Sequence, residues 1–81
     1  MYYTYILINK ERKKTYTGHT SNLQKRLVEH NTGLVKSSRE YRCYKIMHWE
    51  GFSSLKEAKR KELYYKGYRG RQKIKEFMKN H

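Results

Sequence analysis

Between Tyr16 and Asn31 the backbone has to change from extended to helical, and that switch limits what the rest of the chain can build. Lys14 to Gly18 carries the aromatic and β-branched residues of a strand. Ser21-Asn22-Leu23-Gln24 then fits a capping box, with Ser21 as N-cap and Gln24 at the third helical position. The helix runs to about Asn31, with Leu23, Leu27 and, as a third candidate, Val28 toward the core; Gly33 is placed to stop it. Gly18 falls where a side chain would obstruct a close approach or a left-handed turn. Arg26 and His30 are four apart and hence neighbours on the helix surface. A tyrosine, an arginine and a histidine thus gather near a helix start, a favourable place for a phosphate.

Upstream, Tyr2 to Ile8 is a strand, with Tyr3, Tyr5 and Leu7 on one face and Tyr2, Thr4, Ile6 and Ile8 on the other. A polar turn from Asn9 to Lys13 makes a hairpin with Lys14 to Gly18. With Asn9 opposing Arg12, the register sets Tyr5 opposite Tyr16. Downstream, Thr32 to Arg42 is a polar, basic loop. Tyr41 to Glu50 alternates as a third strand, with Tyr44, Ile46 and His48 on one side and Cys43, Met47 and Trp49 on the other; Gly51 breaks it. Ser54-Leu55-Lys56-Glu57 is a second capping box. It opens a helix to Lys66 whose inner stripe is Leu55, Ala58, Glu62 and Tyr65. Gly67 ends that helix. A last one from Arg69 to Lys79 forms around Ile74, Phe77 and Met78, with Gly70 weakening its first turn. The order β-β-α-β-α-α predicts an α+β fold, a small three-stranded antiparallel sheet flanked by helices, as one domain over residues 1–81.

The chain carries 20 Lys and Arg against 7 Asp and Glu, a formal net charge of +13. So positive a domain repels itself unless a polyanion relieves it, and nucleic acid is the expected partner. The low hydrophobic content, 36%, is offset by nine Tyr, two Phe and one Trp, which must carry much of the core. No apolar run is long enough to span a bilayer, no signal-peptide pattern is present, and no helix sets a strong apolar face against a basic one. Membrane association is therefore not expected. A lone cysteine, Cys43, excludes an internal disulfide and fits a reducing, cytoplasmic compartment.

Taken singly, the candidate residues decide little. Glu57 has a sufficient structural task in the capping box. Glu62 has none, and an inward carboxylate must be paired, protonated or bound to a metal. Arg26 can pair bidentately with a phosphoryl group or stand as a solvated charge. His19 and His30 are candidate bases, relays or phosphate donors, or surface histidines. Tyr5 and Tyr16 serve equally as packing residues. Lys36, Ser37, Ser38 and Arg39 could meet phosphates or form a solvated connection. One Cys and scattered His make no structural zinc site.

Jointly, these residues carry a pattern. Tyr5-Ile6-Leu7, Tyr16-Thr17-Gly18, Leu23 to Asn31 with Arg26 and His30, Glu57-Ala58-Lys59-Arg60-Lys61-Glu62 and Lys66-Gly67-Tyr68 occur in the order of the GIY-YIG nuclease family. The chain most resembles the small stand-alone GIY-YIG proteins of bacteria, and is similar to the N-terminal incision domain of the repair excinuclease. The likeness spans Tyr2 to Met78. It implies metal-dependent hydrolysis of DNA phosphodiester bonds in repair or processing, with Glu62 as ligand of a single Mg²⁺ or Mn²⁺ ion. Arg26 would clamp the phosphate in the transition state. Tyr5 and Tyr16 would position the attacking water, one of them deprotonating it, and His30 would contact phosphate or nucleophile. Gly18, His19, Lys25, Lys36, Arg39 and Lys66 would contact nucleic acid.

The departures are Thr4 beside the first tripeptide, Thr17 within the second, His19 after the turn glycine, Tyr41-Arg42-Cys43-Tyr44 at the entry to the third strand, and no counterpart of a frequent Asn after the last conserved helix. Neither a substrate-recognition domain nor an obligate protein partner is expected. The alternative is a non-catalytic basic module that binds DNA or structured RNA through the same surface.

Overall fold

The first strand, β1 (Tyr2–Asn9), is buried on both sides, and the architecture follows from that. Tyr5, Ile6, Leu7 and Ile8 form a continuous apolar run, so each face of the sheet has to be covered. In the computed structural model, which describes residues 1–80, β1 is the middle strand of a three-stranded antiparallel sheet ordered β2-β1-β3. Its neighbours are β2 (Thr15–Thr20) and β3 (Tyr44–Phe52). Helix α1 (Leu23–Asn31) sits on one face, where Leu23 and Leu27 pack against Tyr5, Leu7 and Tyr44. Helices α2 (Leu55–Lys66) and α3 (Tyr68–Lys79) cover the other, where Tyr65 and Ile74 join Ile6, Ile8 and Met47. The expected α+β fold and its order β-β-α-β-α-α are present.

The hairpin register differs from the expected one by two residues. Tyr5 opposes Gly18, and Tyr16 opposes Leu7. The cause is Asn9, whose side-chain oxygen accepts from the backbone N–H groups of both Lys13 and Lys14, at 2.8 Å each. Those bonds make a longer loop, with Arg12 in the left-handed region at φ 58°. A slip of two preserves the face, so Tyr5 and Tyr16 still share a side of the sheet. Gly18 lies within β2 instead of ending it.

Other elements also shift. The cap of α1 is Asn22, whose side chain accepts from Lys25 N at 3.1 Å, and not Ser21. Gly33, at φ +84°, ends α1 as expected; its N–H and that of Leu34 satisfy the carbonyls of His30 and Glu29. In β3, Ile6 opposes His48 but Leu7 opposes Ile46, leaving Met47 as a bulge. The bulge breaks the expected alternation. Met47 and His48 both turn toward α2 and α3, whereas Tyr44, Ile46 and Trp49 share the face of α1. Gly51 does not break β3, which continues to Phe52. Val28 and Leu55 lie exposed and not in the core.

Gly70 has a packing role that helix propensity hides. A Cβ there would lie 2.0 Å from the carbonyl oxygen of Tyr64 and 2.3 Å from the Cα of Tyr65. Both are backbone atoms, so α2 and α3 cross closely only because Gly70 has no side chain. Gly70→Ala is expected to lower unfolding free energy by at least ~2 kcal/mol, since an overpacked site must move backbone. Gly67→Ala, whose nearest neighbour is 3.5 Å away, should cost far less. Urea denaturation of the two variants checks the contrast.

Candidate active site

Two groups of polar side chains form on opposite faces of β2, the edge strand. The first lies under α1. Tyr5 points from β1 across β2, and its ring passes directly over Gly18: a Cβ at Gly18 would lie 2.6 Å from the Tyr5 hydroxyl. The glycine therefore makes room for a phenol and is itself buried. Helix α1 delivers two partners from successive turns. Arg26 Nε donates to Tyr5 Oη at 3.3 Å, and His30 Nε2 lies 2.9 Å from the same oxygen. Tyr16 stacks beside Tyr5, with ring centroids 6.4 Å apart, and meets His30 edge-on at 4.5 Å.

The hydrogen bonds assign proton positions. Tyr5 Oη already accepts from Arg26, so its own proton goes to His30 Nε2. The imidazole then carries its proton on Nδ1 and donates it to Ser38 Oγ, 2.5 Å away; the Ser38 hydroxyl points on to the carbonyl of Val35. The result is a directed chain, Arg26 to Tyr5 to His30 to Ser38. Burial pushes the Tyr5 phenol up to about 12, against the opposing pull of Arg26. Burial, assisted by the positive charge of Arg26, pushes His30 down to about 4. Both groups are neutral near pH 7, as the bonding requires. His30 is 0% exposed, which the surface position read from the helix spacing did not foresee. Arg26 is held from its other end by Glu29, at 3.1 Å.

The second group faces α2. His19 opposes Thr4, on the other side of β2 from Tyr16 and Gly18, and its Nδ1 lies 2.5 Å from Glu62 Oε1. Lys66 Nζ donates to Glu62 Oε2 at 2.6 Å, one helical turn away. Partial burial favours the protonated acid, but the bonds from Lys66 and His19 outweigh it and hold the Glu62 carboxyl below the usual carboxylate range. The negative charge of Glu62 is near enough to Tyr5 to help keep that phenol protonated. Two depressions connect the groups. One, of about 490 Å³, is lined by His19, Lys25 and Arg26; the other, of about 600 Å³, by Tyr16, Lys66, Arg71 and Lys75.

A family model described as the GIY-YIG catalytic domain matches residues 1–75. The chain belongs to the GIY-YIG family. A UPF0213 protein of Clostridium perfringens is 39% identical over 75 residues, covering 91% of this chain and 80% of that protein. One from Staphylococcus haemolyticus is 36% identical over 75 residues, covering 91% and 90%. Their names state no activity. No solved structure gave a significant match. The family is one of nucleases, generally dependent on divalent metal, so it implies a nucleic-acid substrate.

The GIY-YIG domain brings Tyr5, Tyr16, Arg26 and His30 into contact, and Glu62 joins His19 and Lys66 at the same strand edge. Lys36 and Arg39 line a separate depression with Glu40 and Arg42. Ser38, grouped by sequence with exposed loop residues, is 1% exposed and completes the His30 network. No local spacing signals that role. Glu29 and Lys66, three and four residues from their partners, were accessible from helix periodicity. No helix among the described residues is long and apolar enough to cross a membrane.

The residues fit a hydrated hard cation held by one carboxylate. Among the described residues no group of three or more His, Cys, Asp or Glu forms a cage. Mg²⁺ keeps most of its waters and takes one or two carboxylates, which Glu62 can supply. Lys66, 53% exposed, is free to swing from its oxygen.

The His30 network makes stability depend on pH. Its folded pKa lies below the ordinary 6.5, so its contribution is complete above that pH and is lost as pH falls toward 4. Glu62 and Glu50, also lowered, add a further loss at pH values below 4.5. The urea midpoint should fall steadily from pH 7 to 4. In His30→Gln it should start lower, by about 1–2 kcal/mol for a disturbed buried hydrogen bond, and fall less between 6.5 and 4.5.

Proposed function

We propose that this domain is a metal-dependent endonuclease that hydrolyses DNA phosphodiester bonds, with Glu62, Arg26, Tyr5, Tyr16 and His30 as its working residues. The observation that carries this reading is the gathering of these groups along one edge strand, β2. On one side stand a permanent cation and two phenols, and on the other a half-buried carboxylate, 16% exposed, kept ionised. Glu62 would hold Mg²⁺ or Mn²⁺, which supplies Lewis-acid stabilisation of the leaving 3′ oxygen. Arg26, bordering the groove with Lys25 and His19, would bind the phosphate where charge builds up.

The two tyrosines then divide the work. Tyr5, with its pKa pushed up to about 12, keeps its proton and serves as an oriented donor fixed by His30. Tyr16 is only half-buried and lines the larger depression, so it can release its own proton to solvent and, as the phenolate, take one from the attacking water. His30 is a neutral acceptor that orients Tyr5 and carries no proton from solvent.

One observation favours the second reading, a basic nucleic-acid-binding module without catalysis. Both Glu62 oxygens are already engaged, as in a structural ion pair. The two readings separate on Glu62→Gln. For a nuclease, Mg²⁺- or Mn²⁺-dependent nicking of supercoiled plasmid should fall at least ~10²-fold with DNA affinity retained, and Arg26→Ala should lose ~10²–10³-fold. Absence of any metal-dependent cleavage of plasmid or branched DNA by the unaltered protein would leave the binding module standing.

A further inference from the structure

Several aromatic side chains lie outside both cores, and one of them adjoins the candidate site. Trp49, the only tryptophan, is 53% exposed on the α1 face of β3, yet stands directly opposite the buried Tyr5 in the strand register. The Met47 bulge puts it there, because unbroken alternation would turn it toward the face of α2 and α3. Helix α1 covers Tyr5 and Leu7 but does not cover the indole. Tyr3 meets Trp49 edge-on, with centroids 5.7 Å apart and planes at 71°, and so fixes the orientation of the ring without hiding it. Gly51, opposite Tyr3, adds no side chain to the patch.

The surroundings suit one class of ligand. The depression at Trp49 and Tyr3 is also lined by Leu23 and by the polar Ser21, Asn22 and Gln24 at the entry to α1. Ser21 and Asn22 also line the groove that holds Arg26, Lys25 and His19, so the aromatic patch continues directly from the phosphate-binding groove. An unstacked base offers a π-face to an exposed indole and polar edges to hydroxyl and amide groups, while its phosphate is drawn to the adjacent cations. A paired base inside a duplex offers neither.

We infer that Trp49, oriented by Tyr3, is a stacking platform for an unpaired nucleobase flanking the phosphate held near Arg26. The inference rests on the nucleic-acid reading of this surface, but not on catalysis. A substrate that fills the platform has at least one unpaired nucleotide beside the reactive bond.

The sole tryptophan supplies its own reporter. Intrinsic fluorescence of the unaltered chain is titrated in chelator, without divalent metal, with an eight-residue oligothymidylate and with an abasic strand of equal length and charge. The expected result is strong quenching by the oligothymidylate and little by the abasic strand at equal occupancy, with occupancy followed by anisotropy of labelled strands. Trp49→Ala should weaken oligothymidylate binding ~10-fold and abasic binding by less than ~2-fold, in keeping with the range for one stacked base. Trp49→Phe should restore most of the loss, and thermal melts of both variants exclude unfolding. Equal quenching by the two strands, or equal weakening of both in Trp49→Ala, overturns the platform. So does a protein-concentration-dependent change in emission without DNA, which would make the patch a contact between copies. Quenching with no cleavage of single-stranded, branched or plasmid DNA in either Mg²⁺ or Mn²⁺ would sink the nuclease reading and leave the platform intact.

Discussion

The hydroxyl of Tyr5 is a polar atom in the middle of a sheet face, and much of the molecule is arranged to satisfy it. A buried hydroxyl without partners costs about 1–3 kcal/mol, so the fold must bring it a donor and an acceptor. Arg26 and His30 come from adjacent turns of α1, which ties the helix to β1 through polar bonds as well as through Leu23 and Leu27. Gly18 leaves room for the ring. His30 needs an acceptor for its second nitrogen, and Ser38 is pulled inward to provide it. The course of the loop after α1 is thus set from the sheet outward: Tyr44 donates back to the Ser38 carbonyl, and the Asn31 side chain pairs with the backbone of Tyr44 where β3 begins.

The scarcity of carboxylates shapes the opposite face. Most of the seven acidic residues have a specific task. Glu57 closes the cap of α2 with Ser54, Glu29 braces Arg26, and Glu62 holds His19 and Lys66. Glu50 accepts from Tyr65 and from His48, with Lys61 nearby, and is the polar counterpart on the α2 face of the Tyr5 network. Because 20 Lys and Arg face only seven acids, an excess of positive charge remains on the surface, where a polyanion would offset it. Arg71 and Lys75, beside Tyr16, belong to that surplus and have no ion-pair partner among the described residues.

Several features were legible because they are local. The Ser54 capping box, the glycine stop at Gly33 and the pairing distance between Arg26 and His30 each depend on spacing along one element, and the sharing of a sheet face by Tyr5 and Tyr16 depends only on a short hairpin. The family pattern is also a matter of order along the chain, and the match over residues 1–75 agrees with it. Even the hairpin, displaced by two residues, kept its faces because strand side chains repeat every two residues.

What the sequence determined by itself was therefore the order of elements, the faces of the first two strands and the polar side chains that each element carries. Only the tertiary structure decided which of them meet, and in what protonation state. Nothing in the spacing of His30 and Ser38 says that one will be sealed against the other, because the bond joins a helix to a loop across the sheet. Nothing near Gly70 announces the backbone of Tyr64 and Tyr65. The Met47 bulge, which turns Trp49 to the same side as Tyr5, follows from the demand of β1 for apolar cover on both faces. Local periodicity specifies a direction for each side chain, whereas burial and proton position depend on atoms distant along the chain, which only folding brings together.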